Sequence, residues 1–356
     1  MSALKPRLLT GDTPTGRLHL GHWLGSVQTR VALQESYDCY FILANIHAFT
    51  THPERAASIR SHTLAIALDY LAAGIDPERS TIFIQSEVPA IAELTYLLSM
   101  LVPFARVLRN PTVKDEIRMK GLGDQYSFGF LLYPVGQVAD ILAFRPERVP
   151  VGADQLPHIE MTKEIARRFN QMYCGVDPQT PDEMALAQGG LFPVIQPEPM
   201  AAQRLVGTGP PLETGQLLKM SKSLNNAIYL CDSPDVIRQK VMSMYTDPKR
   251  IHATDPGTTE NNPLWIFHEA FNPDQAWVTE MKARYREGCI GDVVCKQRLI
   301  EVLVALTDPM RARHKHYAQD PAGVLKLLQA GTARANLQAE DTLVQVKKAM
   351  QQDYFL

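Results

Sequence analysis

Along the first half of the chain, short apolar runs alternate with longer stretches whose apolar positions recur at helical spacing. Arg7-Leu-Leu-Thr10 ends at Gly11 and reads as a buried strand meeting a tight turn. From Leu20 to Glu35 the apolar positions return with helical period. Tyr37-Asp-Cys-Tyr-Phe-Ile-Leu-Ala44 is a second strand, followed by a helix from Pro53 to Ala73, where Pro53 suits the first turn and Gly74 the end. Thr81-Ile-Phe-Ile84 is a third strand and Ile91 to Leu101 a helix; Arg148-Val-Pro-Val151 is a fourth strand with Gln155 to Met172 helical behind it. This alternation predicts an α/β fold, a Rossmann-like doubly wound parallel sheet, whose first strand-to-helix turn is where such sheets hold nucleotides. That turn lacks a Gly-x-Gly-x-x-Gly pattern, so no nicotinamide cofactor is expected.

Prolines, glycines and glutamines accumulate from Pro178 to Gly215, which reads as a mobile loop or insertion. Past Ser233 the strand signals fade and helical patterns dominate, among them Gln275 to Arg286, Val293 to Leu306 and Ala333 to Met350. The expected division is a catalytic domain over 1–230 and a C-terminal, mainly helical domain over 231–356.

Composition narrows the classes. The 356 residues are long enough for two domains and a large core, and 45% hydrophobic with 21% charged residues excludes disorder as the default. A net charge of −2 gives no global basic field, so a nucleic-acid partner would have to meet a local patch. No apolar run approaches the length of a membrane span, and the start Met1-Ser-Ala-Leu-Lys-Pro-Arg7 has no apolar signal region, so a cytoplasmic location is expected, with no membrane and no DNA partner. The 5 cysteines, at 39, 174, 231, 289 and 295, include no Cys-x-x-Cys pair and read as thiols rather than a disulfide framework or a closed zinc site.

The chemistry is concentrated in two segments. Gly11-Asp-Thr-Pro-Thr-Gly-Arg-Leu-His-Leu-Gly-His22 places two histidines at a glycine-rich turn where a helix starts, and Lys219-Met-Ser-Lys-Ser223 is a paired-lysine loop far downstream. Taken singly, His19 and His22 are equally a buried pair or two metal ligands lacking a third, and the pentapeptide is equally a solvated basic turn. Their conjunction points to ATP cleaved at its α-phosphate. A helix N-terminus favours phosphate, and ammonium groups on a movable loop neutralise the charge that develops on departing pyrophosphate. Lys219 and Lys222 fit that demand, with Ser221 and Ser223 as hydroxyl donors. Gly21 lets adenine or ribose approach the backbone. Magnesium would be carried by the phosphates, and no protein-held metal is expected.

These two segments, together with Tyr133-Pro-Val-Gly-Gln-Val-Ala-Asp-Ile-Leu142, Val149-Pro-Val-Gly-Ala-Asp-Gln155 and His158-Ile-Glu-Met-Thr-Lys-Glu-Ile-Ala-Arg-Arg-Phe-Asn170, resemble the class I aminoacyl-tRNA synthetases, in their tryptophanyl and tyrosyl branch, along almost the whole chain. The resemblance implies that an amino-acid carboxylate attacks the α-phosphate to form an aminoacyl-adenylate, which the terminal adenosine of a tRNA then accepts without a covalent enzyme intermediate. It implies catalytic roles for His19, His22, Lys219 and Lys222. It implies ATP contacts at Thr13, Pro14, Thr15, Gly21 and His22, with Thr13 standing where a glutamine is common. The Lys219-Met220-Ser221-Lys222-Ser223 loop would also touch ATP. Gly152, Ala153 and Asp154 match a ribose-holding stretch, Lys114 a phosphate-contacting lysine and Leu205 an adenine-side contact. Asp140 resembles the carboxylate that accepts an indole N–H, with Gln137 one helical turn before it, and His47 and Gln155 resemble further tryptophan-pocket residues.

A phenol also donates a hydrogen bond, so Gln137 and Asp140 alone leave tryptophan and tyrosine both open; the overall run of motifs is closer to the tryptophanyl members. Some of those carry an iron–sulfur cluster on four closely spaced cysteines, but Cys289 and Cys295 lack companions and none is expected. Family members are usually homodimers, and the helical domain would read the tRNA anticodon. Arg311-Ala-Arg-His-Lys-His-Tyr317 could there meet phosphate or stack a base, or simply be a solvated helix face. A small nucleotidylyltransferase or a synthetase-like RNA-binding regulator are the rival classes: the first needs neither the helical domain nor the lysine loop, and the second would have damaged motifs.

Overall fold

The computed structural model describes all residues except 1–4, 51–52, 120, 124, 153–154, 200–204, 249, 253 and 356. Strands β1 (Arg7–Asp12), β2 (Asp38–Leu43), β3 (Thr81–Ile84), β4 (Arg148–Val151) and β5 (Gln196–Pro199) form one parallel sheet in the order β3-β2-β1-β4-β5. The register sets Leu8 beside Cys39 on one side and beside Arg148 on the other. From β1 the chain builds outward through β2 and β3, then returns to lay β4 against the other side of β1. The reversal opens a crevice at the carboxyl ends of β1 and β4, where doubly wound sheets bind ligands.

Most expected elements are present: Thr81–Ile84, Arg148–Val151 and Gln275–Arg286 keep their limits, and the ends of others shift. The Leu20–Glu35 stretch is not one helix: α1 (Leu20–His22) leads through a π-helical turn (Trp23–Val27) into α2 (Gln28–Leu33). A 3-10 turn (Pro53–Arg55) precedes α3 (Ala56–Ala73), which ends at Gly74. α4 (Pro89–Ser99) is followed by two helices that periodicity did not reveal, α5 (Phe104–Leu108) and α6 (Pro111–Met119), both short. Then come α7 (Phe128–Leu142), α8 (Leu156–Cys174), α9 (Pro234–Met242), α10 (Pro263–Phe271), α11 (Gln275–Arg286), α12 (Asp292–Ala318) and α13 (Pro321–Ala349).

The segment 178–215, read as a loop, contributes β5. Its Gln-Pro-Glu-Pro sequence argues against a strand on propensity, but an edge position needs no donor on its outer side, so prolines are tolerated there.

Alternation along the strands divides the core. Leu8, Phe41, Leu43 and Ile82 pack on one face with α3, α9, α10 and α12, whereas Leu9, Tyr40, Ile42 and Phe83 pack on the other with α4, α7, α8 and part of α13. The C-terminal helices close this frame. The Arg313 Nε of α12 donates to Ala72 O at 2.7 Å, satisfying a carbonyl at the end of α3. α13 runs along β3, close enough that a Cβ on Gly331 would stand 2.0 Å from Ile82 O, and it covers the edge of the sheet. Among the described residues no helix is long and apolar enough to cross a membrane.

Candidate active site

The corner after β1 is built from the histidines inward. His19 is extended and caps α1: its Nδ1 accepts from Gly21 N at 3.1 Å, while His22 Nδ1 accepts from His19 N at 3.1 Å. Because both Nδ1 atoms accept backbone N–H groups, both rings carry their proton on Nε2 when neutral. Neutral is what they are near pH 7: burial first, then each other's charge and Lys222, hold His19 at about 3, and burial together with Lys222 holds His22 at about 4 against the pull of Asp12. The two rings lie 3.8 Å apart. They are therefore hydrogen-bond donors rather than cations. A Cβ on Gly21 would stand 2.9 Å from the His19 ring, so only glycine lets the two close rings and the lysine loop share this space.

The lysine loop is tied to the corner by backbone. Leu20 N donates to Ile228 O at 2.9 Å and Leu230 N to Leu18 O at 3.1 Å, while Met220 N donates to Leu205 O at 3.0 Å. Asn226 braces the loop, accepting from Ser221 N at 2.8 Å and donating to Lys219 O at 3.2 Å. Lys222 Nζ then reaches across to Gly16 O at 2.7 Å and Thr15 Oγ1 at 3.2 Å. Burial lowers Lys222 to about 8, with Asp12 and Asp69 opposing. Thr15, His19, Gly21, His22, Leu205 and the loop from Lys219 to Ser223 enclose a cavity of about 560 Å³.

A second cavity of about 390 Å³ lies at the crevice between β1 and β4. Thr13, His47, Gln137, Asp140, Gly152 and Gln155 line it, all named from sequence. Asp140 is 5% exposed, and burial pushes its carboxyl up to about 7, with the Gln85 amide pulling the other way. Gln137 Nε2 donates to Gln155 Oε1 at 3.3 Å.

Sequence reasoning did not single out several residues that shape this site. Asp12 accepts from Arg30 Nη1 at 2.6 Å and from the Tyr70 hydroxyl at 2.5 Å; burial raises its pKa, but Arg30, His22 and these hydrogen bonds leave it below the usual carboxylate range. Arg30 is a lone buried cation in an amphipathic helix, and that anomaly was the available signal. The Tyr133 hydroxyl is buried in the cavity wall beside Glu116. Gln85 and Asn226 gave no signal, since their roles depend on partners distant in sequence.

Other named residues fall elsewhere. Pro14 is buried in the turn without lining either cavity. Lys114 stands exposed on α6, outside both linings. Ala153 and Asp154 lie outside the described residues. In the basic segment of α12, Arg311 bonds within its own helix to Val304 O and Asp308, and Arg313 is spent on Ala72, so these two guanidiniums are structural rather than free for phosphate. His314 turns inward, its donor atoms within 4.8 Å of those of Asp69 and Cys231; the Arg17 guanidinium supplies the positive charge there. Asp69 also accepts Leu18 N at 2.7 Å, anchoring the residue before His19.

Residues 2–307 match the family described as tRNA synthetases class I (W and Y). The chain is 46% identical over 356 residues to the tryptophan–tRNA ligase of Streptococcus pneumoniae, and 46% identical over 355 residues to that of Lactococcus lactis, covering 99% of both chains in each case. Its structure is similar to a crystal structure of tryptophanyl-tRNA synthetase from Campylobacter jejuni complexed with ADP and tryptophan, with a TM-score of 0.81 at 28% identity over 97% of this chain and 99% of that one.

Proposed function

From the membership of this chain in the class I tRNA synthetases of the tryptophan and tyrosine branch, we propose that it is a tryptophan–tRNA ligase whose two cavities hold the two halves of one reaction. Tryptophan lies at the β1–β4 crevice with its indole N–H on Asp140, and its carboxylate faces the α-phosphate of ATP seated between the histidine corner and the lysine loop. The observation that carries this reading is the reach of Lys222 to Thr15 and Gly16, which brings an ammonium from 206 residues beyond Gly16 to the turn after β1.

Each group has a task. The neutral His19 and His22 offer Nε2–H donors to phosphate oxygens without adding charge to the ground state. Lys219 and Lys222 meet the charge that moves onto pyrophosphate, and Ser221 and Ser223, whose hydroxyls are 3.0 Å apart, add donors. Met220 and Leu205 form an apolar wall for adenine. Thr15 completes the nucleotide contacts, with Thr13 and Gly152 meeting the ligands from the crevice side, and His47, Gln137 and Gln155 complete those of the amino acid. The donor set at the corner is neutral or cationic, and Asp12 beside it is already engaged by Arg30 and Tyr70. It therefore fits a magnesium ion borne by phosphate oxygens, which would offset charge on the triphosphate.

The 3'-terminal adenosine of tRNA then takes the tryptophanyl group, with the enzyme acting in the cytoplasm as a homodimer. Supporting the dimer, Tyr96, Phe104 and Phe128 are exposed on the neighbouring helices α4, α5 and α7, with Met100 exposed just past the end of α4, an apolar face suited to a second copy. Amino-acid-dependent ATP–pyrophosphate exchange, run with tryptophan and tyrosine side by side, tests the reading. Exchange with tryptophan is expected to dominate. Faster exchange with tyrosine would replace the substrate, and exchange with no amino acid present would favour a nucleotidylyltransferase.

A further inference from the structure

Gln85, in the 3-10 turn that follows β3, ties two walls of the amino-acid cavity together. Its Nε2 donates to both carboxylate oxygens of Asp140, at 2.7 and 2.9 Å. Its Oε1 accepts from the backbone N–H of Ile46 and of His47, at 3.1 and 3.2 Å. Gln85 is itself buried, so these contacts leave its amide one orientation. The Gln85 amide is the one side chain that hydrogen-bonds Asp140 among the described residues. Other ionisable groups line the same cavity, namely His47 after β2, Asp12 after β1, Arg30 of α2, Glu116 and Tyr133 on α6 and α7, and His158 on α8, but none of them bonds to this carboxylate.

We propose that Gln85 is a specificity-determining positioning residue, which fixes the plane of the Asp140 carboxyl and favours its anionic, acceptor-only form, so that an aromatic amino acid lacking a side-chain N–H leaves a buried anion with the Gln85 amide as its single side-chain donor among the described residues. This rests on the reading that Asp140 takes the indole N–H. A buried carboxylate with no hydrogen-bond donor reverts to the neutral acid, and a neutral acid tolerates a ligand that brings no donor far better than an unpaired anion does. Discrimination therefore depends on the donor that shifts Asp140 towards its anion. By the same amide, the turn that carries His47 is locked to the selectivity residue, so the two walls keep their spacing around the ring.

Two variants separate this role from a merely structural one. Gln85→Leu removes the donor. Gln85→Glu retains an oxygen acceptor for the Ile46 and His47 N–H groups at nearly the same shape, but sets a second carboxyl against Asp140. ATP–pyrophosphate exchange is measured with tryptophan and with its benzothienyl analogue, in which sulfur replaces the indole N–H, across pH 5.5 to 9. Both variants are expected to lose at least about tenfold of the preference for tryptophan at neutral pH, through a raised tryptophan KM with kcat within about threefold of the parent. The rise of kcat/KM for tryptophan with pH is expected to move to higher pH. Variants that unfold at the parent's temperature and keep both the parent's preference and its pH profile would overturn the inference alone. Failure of the parent protein to activate tryptophan would overturn the underlying reading with it.

Discussion

Replacing Lys222 by alanine isolates the charge that the lysine loop brings to the corner. The ammonium sits on Gly16 O at 2.7 Å, with a longer contact to the exposed Thr15 Oγ1 that adds little, so on reaching the triphosphate it gives up one charge-assisted hydrogen bond worth about 1.5 kcal/mol. A unit charge about 4 Å away, at the effective dielectric of a partly buried site, contributes about 4 kcal/mol. The difference, about 2.5 kcal/mol, corresponds to nearly 10²-fold in rate, within the range measured when one charge-stabilising donor is removed. Single-turnover adenylate formation by Lys222→Ala should therefore slow by about 10²-fold, while ATP binding measured at equilibrium weakens little, because the gain is realised only as charge moves to the pyrophosphate. The same reasoning has a pH signature. With burial holding Lys222 at about 8, kcat/KM for ATP should fall as pH rises through that value, and the falling limb should be missing from the variant. Adenylate formation at the parent rate, or a falling limb that survives the substitution, would refute the reasoning.

Other consequences follow from the same geometry. Asp140→Ala should erase most of the preference for tryptophan over phenylalanine in exchange assays, and an unaltered ratio would count against Asp140 as the indole acceptor. Burial raises the folded-state pKa of Asp140 to about 7 from an unfolded value near 4, so the native protein holds the extra proton and loses stability as pH rises between those values. Asp140→Asn should accordingly unfold at a higher temperature than the parent at pH 8, with the gap shrinking towards pH 4, and a gap independent of pH would contradict the burial. Asn226→Ala removes the brace on Ser221 and Lys219, takes the partner from a half-buried N–H and should slow exchange by about tenfold with tryptophan KM unchanged; calorimetry and exchange kinetics together check it.

The sheet was legible where burial dictates pattern. Thr81–Ile84 and Arg148–Val151 have the limits their apolar runs imply, because strands covered on both faces are apolar throughout. β5 was hidden since an edge strand can be made of prolines, and α5 and α6 since neither is long enough to show a period. In the site, residues carried by contiguous motifs could be named, from His19 to Lys222. Those acting through distant partners could not: Asp12 gains its meaning from Tyr70, and Gln85 from Asp140, contacts that only the folded chain creates. Likewise Arg311 and Arg313 resemble a nucleic-acid patch in sequence and are spent on carbonyls in the fold.

A crystal structure with ATP and a non-reactive tryptophan analogue tests the central claim most directly. Lys222 Nζ is expected to leave Gly16 O and lie within hydrogen-bond distance of the β- or γ-phosphate, with the His19 and His22 Nε2 atoms facing phosphate oxygens and the indole N–H on Asp140. Lys222 still bonded to Gly16 with the triphosphate bound elsewhere would contradict it.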